Sequence, residues 1–117
     1  MEITRTPGTA TGRARSVTHG GLIYTVGTAV SDTTSVAEQT RLTLAHIDRN
    51  LAEGGSDKTR IIRATVYLRD MATKDEMDAV WCEWIGGPEN WPQRACVGAD
   101  LAGNDLVEIV ITAAQVT

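Results

Sequence analysis

The sequence predicts an α+β fold: a mixed sheet of about six strands with two helices packed on one face. Three observations carry this. Segments rich in Val, Ile and Thr recur along the chain and read as strands. Two other stretches place apolar residues at helical spacing. The resulting order is β-β-β-α-β-α-β-β, in which helices separating strands imply parallel neighbours and a short N-terminal turn implies an antiparallel pair.

The first ten or so residues are rich in Thr, Gly and Pro and support at most a short strand at Glu2–Arg5 within an otherwise irregular 1–12. Arg13–Thr18 alternates weakly and reads as a strand. His19-Gly20-Gly21 then supplies a turn, because glycine adopts positive φ at no steric cost. Leu22–Val30 is the strand that follows. Gly27 interrupts it, and a glycine within a strand marks a bulge or a close approach of backbone or ligand.

Ser31–Ser35 is a polar loop able to cap a helix. Val36, Thr40, Leu44, Ile47 and Leu51 follow at spacings of four, four, three and four, one face of an amphipathic helix that Gly54-Gly55 ends. Arg60–Leu68 reads as a strand with Ile62, Ala64, Val66 and Leu68 on one face. Thr73-Lys74-Asp75-Glu76 has the pattern of a capping box. Met77, Val80, Trp81 and Trp84 form the apolar stripe of a second helix, which Gly86-Gly87-Pro88 stops. Arg94–Leu101 and Leu106–Val116 are the last strands, and their adjacency in the chain suggests a hairpin. Two helices on one face leave the other face bare. Several of the residues there are apolar, which predicts burial by another copy of the chain.

Composition narrows the function. A chain of 117 residues, 42% hydrophobic and 22% charged, is expected to form one domain with one core. With no Phe, that core rests on Val, Ile, Leu and Ala. A net charge of −4 argues against a nucleic-acid partner, since that needs clustered Lys and Arg. Cys82 and Cys96 are the only cysteines and have no zinc-ligand spacing. No zinc or other metal site is therefore expected, and with no Gly-rich phosphate loop in the sequence no nucleotide cofactor is expected either. No apolar run approaches the ~20 residues of a membrane span, and Met1–Ala10 lacks the apolar core of a signal peptide. The chain reads as a cytoplasmic protein without a membrane partner.

Two charged residues stand in apolar strands. Arg94 follows Trp91-Pro92-Gln93, and its planar fork matches a carboxylate. A solvated strand end or an ion pair is the plainer alternative. Glu108 interrupts Leu106–Ile111, and a carboxylate in such surroundings can hold a water and exchange a proton with it. Cys96 shares a strand face with Arg94 and reads as a small packing residue whose backbone N–H matters more than its sulfur. Gly27-Thr28 can expose backbone groups to a ligand. Arg13 and Arg15 border an anion pocket or lie on a solvated strand.

Pro92-Gln93-Arg94-Ala95-Cys96-Val97 and Leu106-Val107-Glu108-Ile109, in this element order, resemble the RidA/YjgF family of small trimeric imine and enamine deaminases. Gly20–Gly27 and Ala64–Asp70 add to the likeness, which covers roughly residues 13 to 116. It implies a chorismate-mutase-like fold in which the strand 60–68 lies between the last two, and a homotrimer with sites in clefts between subunits. By position, Arg94 would clamp the carboxylate of a 2-imino or 2-enamino acid, assisted by the N–H of Cys96. Glu108 would hold the attacking water, and Gly27 would face the nitrogen end. Four positions depart from the deaminase pattern: Arg13 replaces a frequent Tyr, Thr28 a Gln, Asp78 an Asn and Ala102 a Pro. Arg13, Thr28 and Asp78 would then shape the substrate pocket, and Arg13 would favour a second acidic group on the ligand. A trimer that binds small carboxylates without turnover is the alternative.

Overall fold

The computed structural model describes residues 1–116. Its strands are β1 (Thr4–Pro7), β2 (Ala14–His19), β3 (Leu22–Thr28), β4 (Ile61–Leu68), β5 (Gln93–Gly98) and β6 (Val107–Ala114), and its helices are α1 (Val36–Glu53) and α2 (Lys74–Ile85). The expected α+β architecture is present. The first strand lies two residues later than Glu2–Arg5, and β5 and β6 are shorter than 94–101 and 106–116.

The six strands form one sheet in the order β1-β2-β3-β6-β4-β5. β2 and β3 pair antiparallel through His19↔Leu22. Gly20 and Gly21 between them have φ of 60° and 82°, as a two-residue type I′ turn requires. β6 then pairs antiparallel with both β3 and β4, and β4 runs parallel to β5 with α2 as the connection. The last two strands are therefore not a hairpin. β4 separates them, because a parallel partner needs a crossover that the segment 69–92 supplies.

Ser35 caps α1 by accepting the N–H of Glu38 at 3.1 Å. The helix ends with Ser56 N–H donating to Leu51 O and Gly55 N–H to Ala52 O, the paired bonds of a Schellman stop with Gly55 at φ 78°. All five stripe residues of α1 are buried, as are Met77, Val80 and Trp81 of α2. They pack on Ile23, Ala64, Val66, Leu68, Val107, Ile109, Ile111 and Ala113 of the sheet. Each large aliphatic residue so buried contributes about 1.5–3 kcal/mol.

Two expectations need correction. Ile61 is buried and Ile62 is 51% exposed, because the β4–β6 register shifts between Ile61 and Arg63. That bulge turns Ile62 away from the core. Thr73 does not cap α2 with its side chain. Its hydroxyl donates to Asp70 O, and the Asp70 carboxylate instead accepts Ala72 N–H at the head of a 3-10 turn, Met71–Thr73.

The other sheet face carries Tyr24 and Val110, 44% and 40% exposed, beside half-buried Val26, Thr65, Tyr67 and Thr112. The shortest dimension of the molecule is 19 Å, the depth of one sheet and one helix layer. Among the described residues nothing covers this face.

Candidate functional site

The residues singled out in the sequence fall into two groups, and the sheet keeps them apart. The first lies between β5 and α2. Arg94 pairs with Ala64 in the β4–β5 register, and Ala64 is buried under the helices, so Arg94 points to the helix face. There its Nη2 donates to Asp78 at 2.6 Å, and its guanidinium lies 5.3 Å from the centre of the Trp81 ring, within cation–π range. Asp78 also accepts from Lys74 at 2.6 Å. Burial alone would raise the Asp78 pKa, but the hydrogen bonds from Lys74 and Arg94 together outweigh it and hold the carboxyl below its usual range. Arg94 is thus a cation fixed by Asp78 through Nη2, while its Nη1 makes only a weak contact with Met77 Sδ at 3.9 Å. Cys96 lies on the same face. Its burial pushes the thiol pKa up, and the nearby Arg94 and Lys74 charges only partly offset this. A half-buried thiol whose pKa is raised is a poor nucleophile.

The second group surrounds a cleft of 580 Å³ at the end of the sheet where β3 stops and β6 starts. Arg13, Gly27, Thr28, Ala102 and Glu108 line it. Glu108 pairs with Thr28 across β3–β6 and with Tyr67 across β6–β4, and it alternates with buried Val107 and Ile109, so it leaves the sheet on the face opposite the helices. The regular β2–β3 ladder ends at Ser16↔Thr25, and Val26–Thr28 beyond it border the cleft. Gly27 has a further reason to be glycine. A Cβ there would lie 3.0 Å from Ile47 Cδ1 and 3.3 Å from the Thr43 carbonyl oxygen, so its absence lets α1 rest on β3.

Sequence reasoning missed three neighbours: His46, Asp105 and Lys74. His46 and Asp105 also line the cleft. His46 Nδ1 lies 3.2 Å from the Thr28 carbonyl oxygen, to which the Nδ1–H tautomer donates. Arg15 does not join Arg13 as a free cation, for its Nη2 is bound to both carboxylate oxygens of Glu53 at 2.6 and 2.5 Å. Lys74 belongs to the Arg94 group, and its i,i+4 spacing to Asp78 was the available signal. No comparable signal marks His46, whose place depends on how α1 crosses β3. Val30, at the cleft rim, has φ 51° and is 82% exposed, an uncommon backbone state for a β-branched residue.

Arg94 and Glu108 are two strands apart, on opposite faces, and offset along β4 from Ala64 to Tyr67. Their Cα atoms are therefore separated by roughly 10 Å in each sheet direction. A small molecule cannot touch both within one chain. Among the described residues no group of three or more His, Cys, Asp or Glu side chains is placed to hold a metal ion. Nor, among the described residues, is any helix long and apolar enough to cross a membrane.

A family model described as Endoribonuclease L-PSP matches residues 4–115. The chain belongs to the RidA/YjgF family. A RutC family protein of Haemophilus ducreyi is 46% identical over 98 residues, covering 82% of this chain and 83% of that protein. The RutC family protein YoaB of Escherichia coli is 35% identical over 99 residues, covering 84% and 86%. Among solved structures, a YjgF family member from Neisseria meningitidis superposes with a TM-score of 0.93 at 41% identity, covering 100% of this chain and 98% of its own. A family member from Mycobacterium tuberculosis does so with a TM-score of 0.84 at 26% identity, covering 97% and 99%. The RidA/YjgF match spans both residue groups, since Arg94 and Glu108 both fall inside 4–115.

Proposed function

We propose that the chain hydrolyses small 2-imino carboxylates, and their 2-enamino tautomers, to 2-oxo acids and ammonia in clefts between the subunits of a homotrimer. One observation carries the reading. A pinned guanidinium and an acid-lined cleft stand on opposite sheet faces of the same chain, so they can serve one ligand only if different copies supply them. The half-exposed apolar face supports such packing.

In this scheme Arg94 binds the substrate carboxylate with the guanidinium edge that Asp78 leaves free, and the Cys96 N–H assists. Glu108 of the neighbouring subunit holds a water against the imine carbon. As the water oxygen bonds to that carbon, Glu108 takes one of its protons and the C=N electrons move to nitrogen. The proton then passes to the nitrogen, the C–N bond breaks, and Glu108 takes the remaining hydroxyl proton as the carbonyl forms and passes it to the departing ammonia. A protonated imine carbon is already electrophilic, so placement and one proton carrier account for the catalysis without a cofactor.

The test is to generate 2-imino acids with an amino-acid oxidase and follow their decay with and without the protein. Acceleration is expected, with Glu108→Gln lowering kcat about 10²–10⁴-fold and Arg94→Ala raising KM. Decay at the spontaneous rate across a chemically varied panel would sink the proposal. A binding-only role has one specific observation in its favour, namely that Asp78 already occupies part of Arg94. Carboxylate binding that is indifferent to Glu108→Gln, with no turnover, would select it. RNA cleavage, which the family description names, fits a chain of net charge −4 less well.

A further inference from the structure

The cleft around Glu108 has two poles. Glu108 and Asp105 lie at its β6 side, one in the strand and one two residues before it. Arg13 lies at the β2 side, one residue before that strand begins, after the turn at Gly12 with φ 87°. β3, with Gly27 and Thr28, runs between them. The other cation of the cleft is not available to a ligand, because Arg15 is held by Glu53. Arg13 is exposed and makes no ion pair or hydrogen bond among the described residues. The acid side suits a positively charged iminium. The cation side suits an anion carried on the same molecule.

We infer that the preferred substrates are 2-imino dicarboxylates, with Arg13 as the residue that binds the second carboxylate and sets this preference. The inference rests on the hydrolytic reading above and gives it a substrate class. Two strand spacings separate the chain at Arg13 from Glu108, roughly 10 Å, and the flexible Arg13 side chain closes part of that gap, leaving room for a substrate of about four or five carbons. A neutral side chain of the same length would leave the guanidinium with water alone. A bidentate guanidinium–carboxylate contact at the cleft rim discriminates against such an analogue.

Two measurements on the intact protein test this separately from the hydrolytic reading. The first compares kcat/KM for the imines made from glutamate and from glutamine, which are close in shape and differ in charge. The dicarboxylate should be favoured about tenfold or more. Arg13→Gln should remove that preference through KM, and Arg13→Glu should reverse it. The second is calorimetric binding of 2-oxoglutarate against 2-oxohexanoate, which needs no turnover. Tighter binding of 2-oxoglutarate, lost in Arg13→Gln, supports the inference even if the hydrolytic reading fails. Turnover of neutral imines with no preference for 2-oxoglutarate, or a preference that Arg13→Gln leaves intact, overturns the inference and leaves the hydrolytic reading standing.

Discussion

Cys96 and Arg94 illustrate what residue type can and cannot say. Arg94 and Glu108 were legible because a charge in an apolar strand needs a reason. Cys96 was legible as a packing residue because no activating group stood near it in sequence. The hydrogen bond between Arg94 and Asp78 was not legible. The two are 16 residues apart on different elements, and only the rotation of α2 over β5 brings them together. That environment has a consequence for Cys96. Its thiol pKa is raised, so the thiolate that reacts with alkylating agents is scarcer at neutral pH than for an ordinary cysteine. Iodoacetamide at pH 7 should therefore modify exposed Cys82 well before Cys96. Cys96 should catch up only as the pH passes above the usual thiol range. Peptide mapping after timed alkylation gives the order, and Cys96 reacting first would show that the nearby Arg94 and Lys74 charges outweigh its burial.

At the scale of elements, the helical stripes were read correctly because their period depends on local spacing alone. The stop at Gly54-Gly55 was read for the same reason. The bulge at Ile62 was hidden, since a regular strand and a bulged one share the same composition, and only the pairing with β6 reveals the extra residue. Thr73 failed as a cap because Asp70 starts a 3-10 turn first and takes the Thr73 hydroxyl on its own carbonyl. Gly27 was expected to mark a bulge or a close approach of backbone or ligand, and the structure shows a close approach of α1. An alanine there would have to displace Ile47 and meet the backbone oxygen of Thr43. Gly27→Ala should therefore destabilise the fold by about 1–3 kcal/mol, visible as a lower urea midpoint with an unchanged slope. An unchanged midpoint would mean that α1 can move off β3 without loss, and would leave ligand access as the reason for the glycine.

The whole molecule is a thin slab with a covered face and a bare one, and the two residue groups sit on opposite sides of it. The bare face could be anticipated from two helices and six strands. Which side of the sheet each charged residue takes could not, because alternation fixes faces only once register is known. This arrangement permits a test of assembly and site together. With substrate kept well below KM, Arg94→Ala and Glu108→Gln chains should each be nearly inactive alone. Unfolded together and refolded as a mixture, they should form trimers in which some sites take Arg94 from one variant and Glu108 from the other. With random mixing, about a quarter of the sites would be complete, so about a quarter of wild-type activity should return. Light scattering on the same mixture should give a mass about three times that of one chain. If both groups instead served one ligand within a single subunit, every site would keep a defect and the mixture would be no more active than the average of its parts. A scattering mass of one chain, together with full activity of the wild type, would separate the site from the assembly altogether.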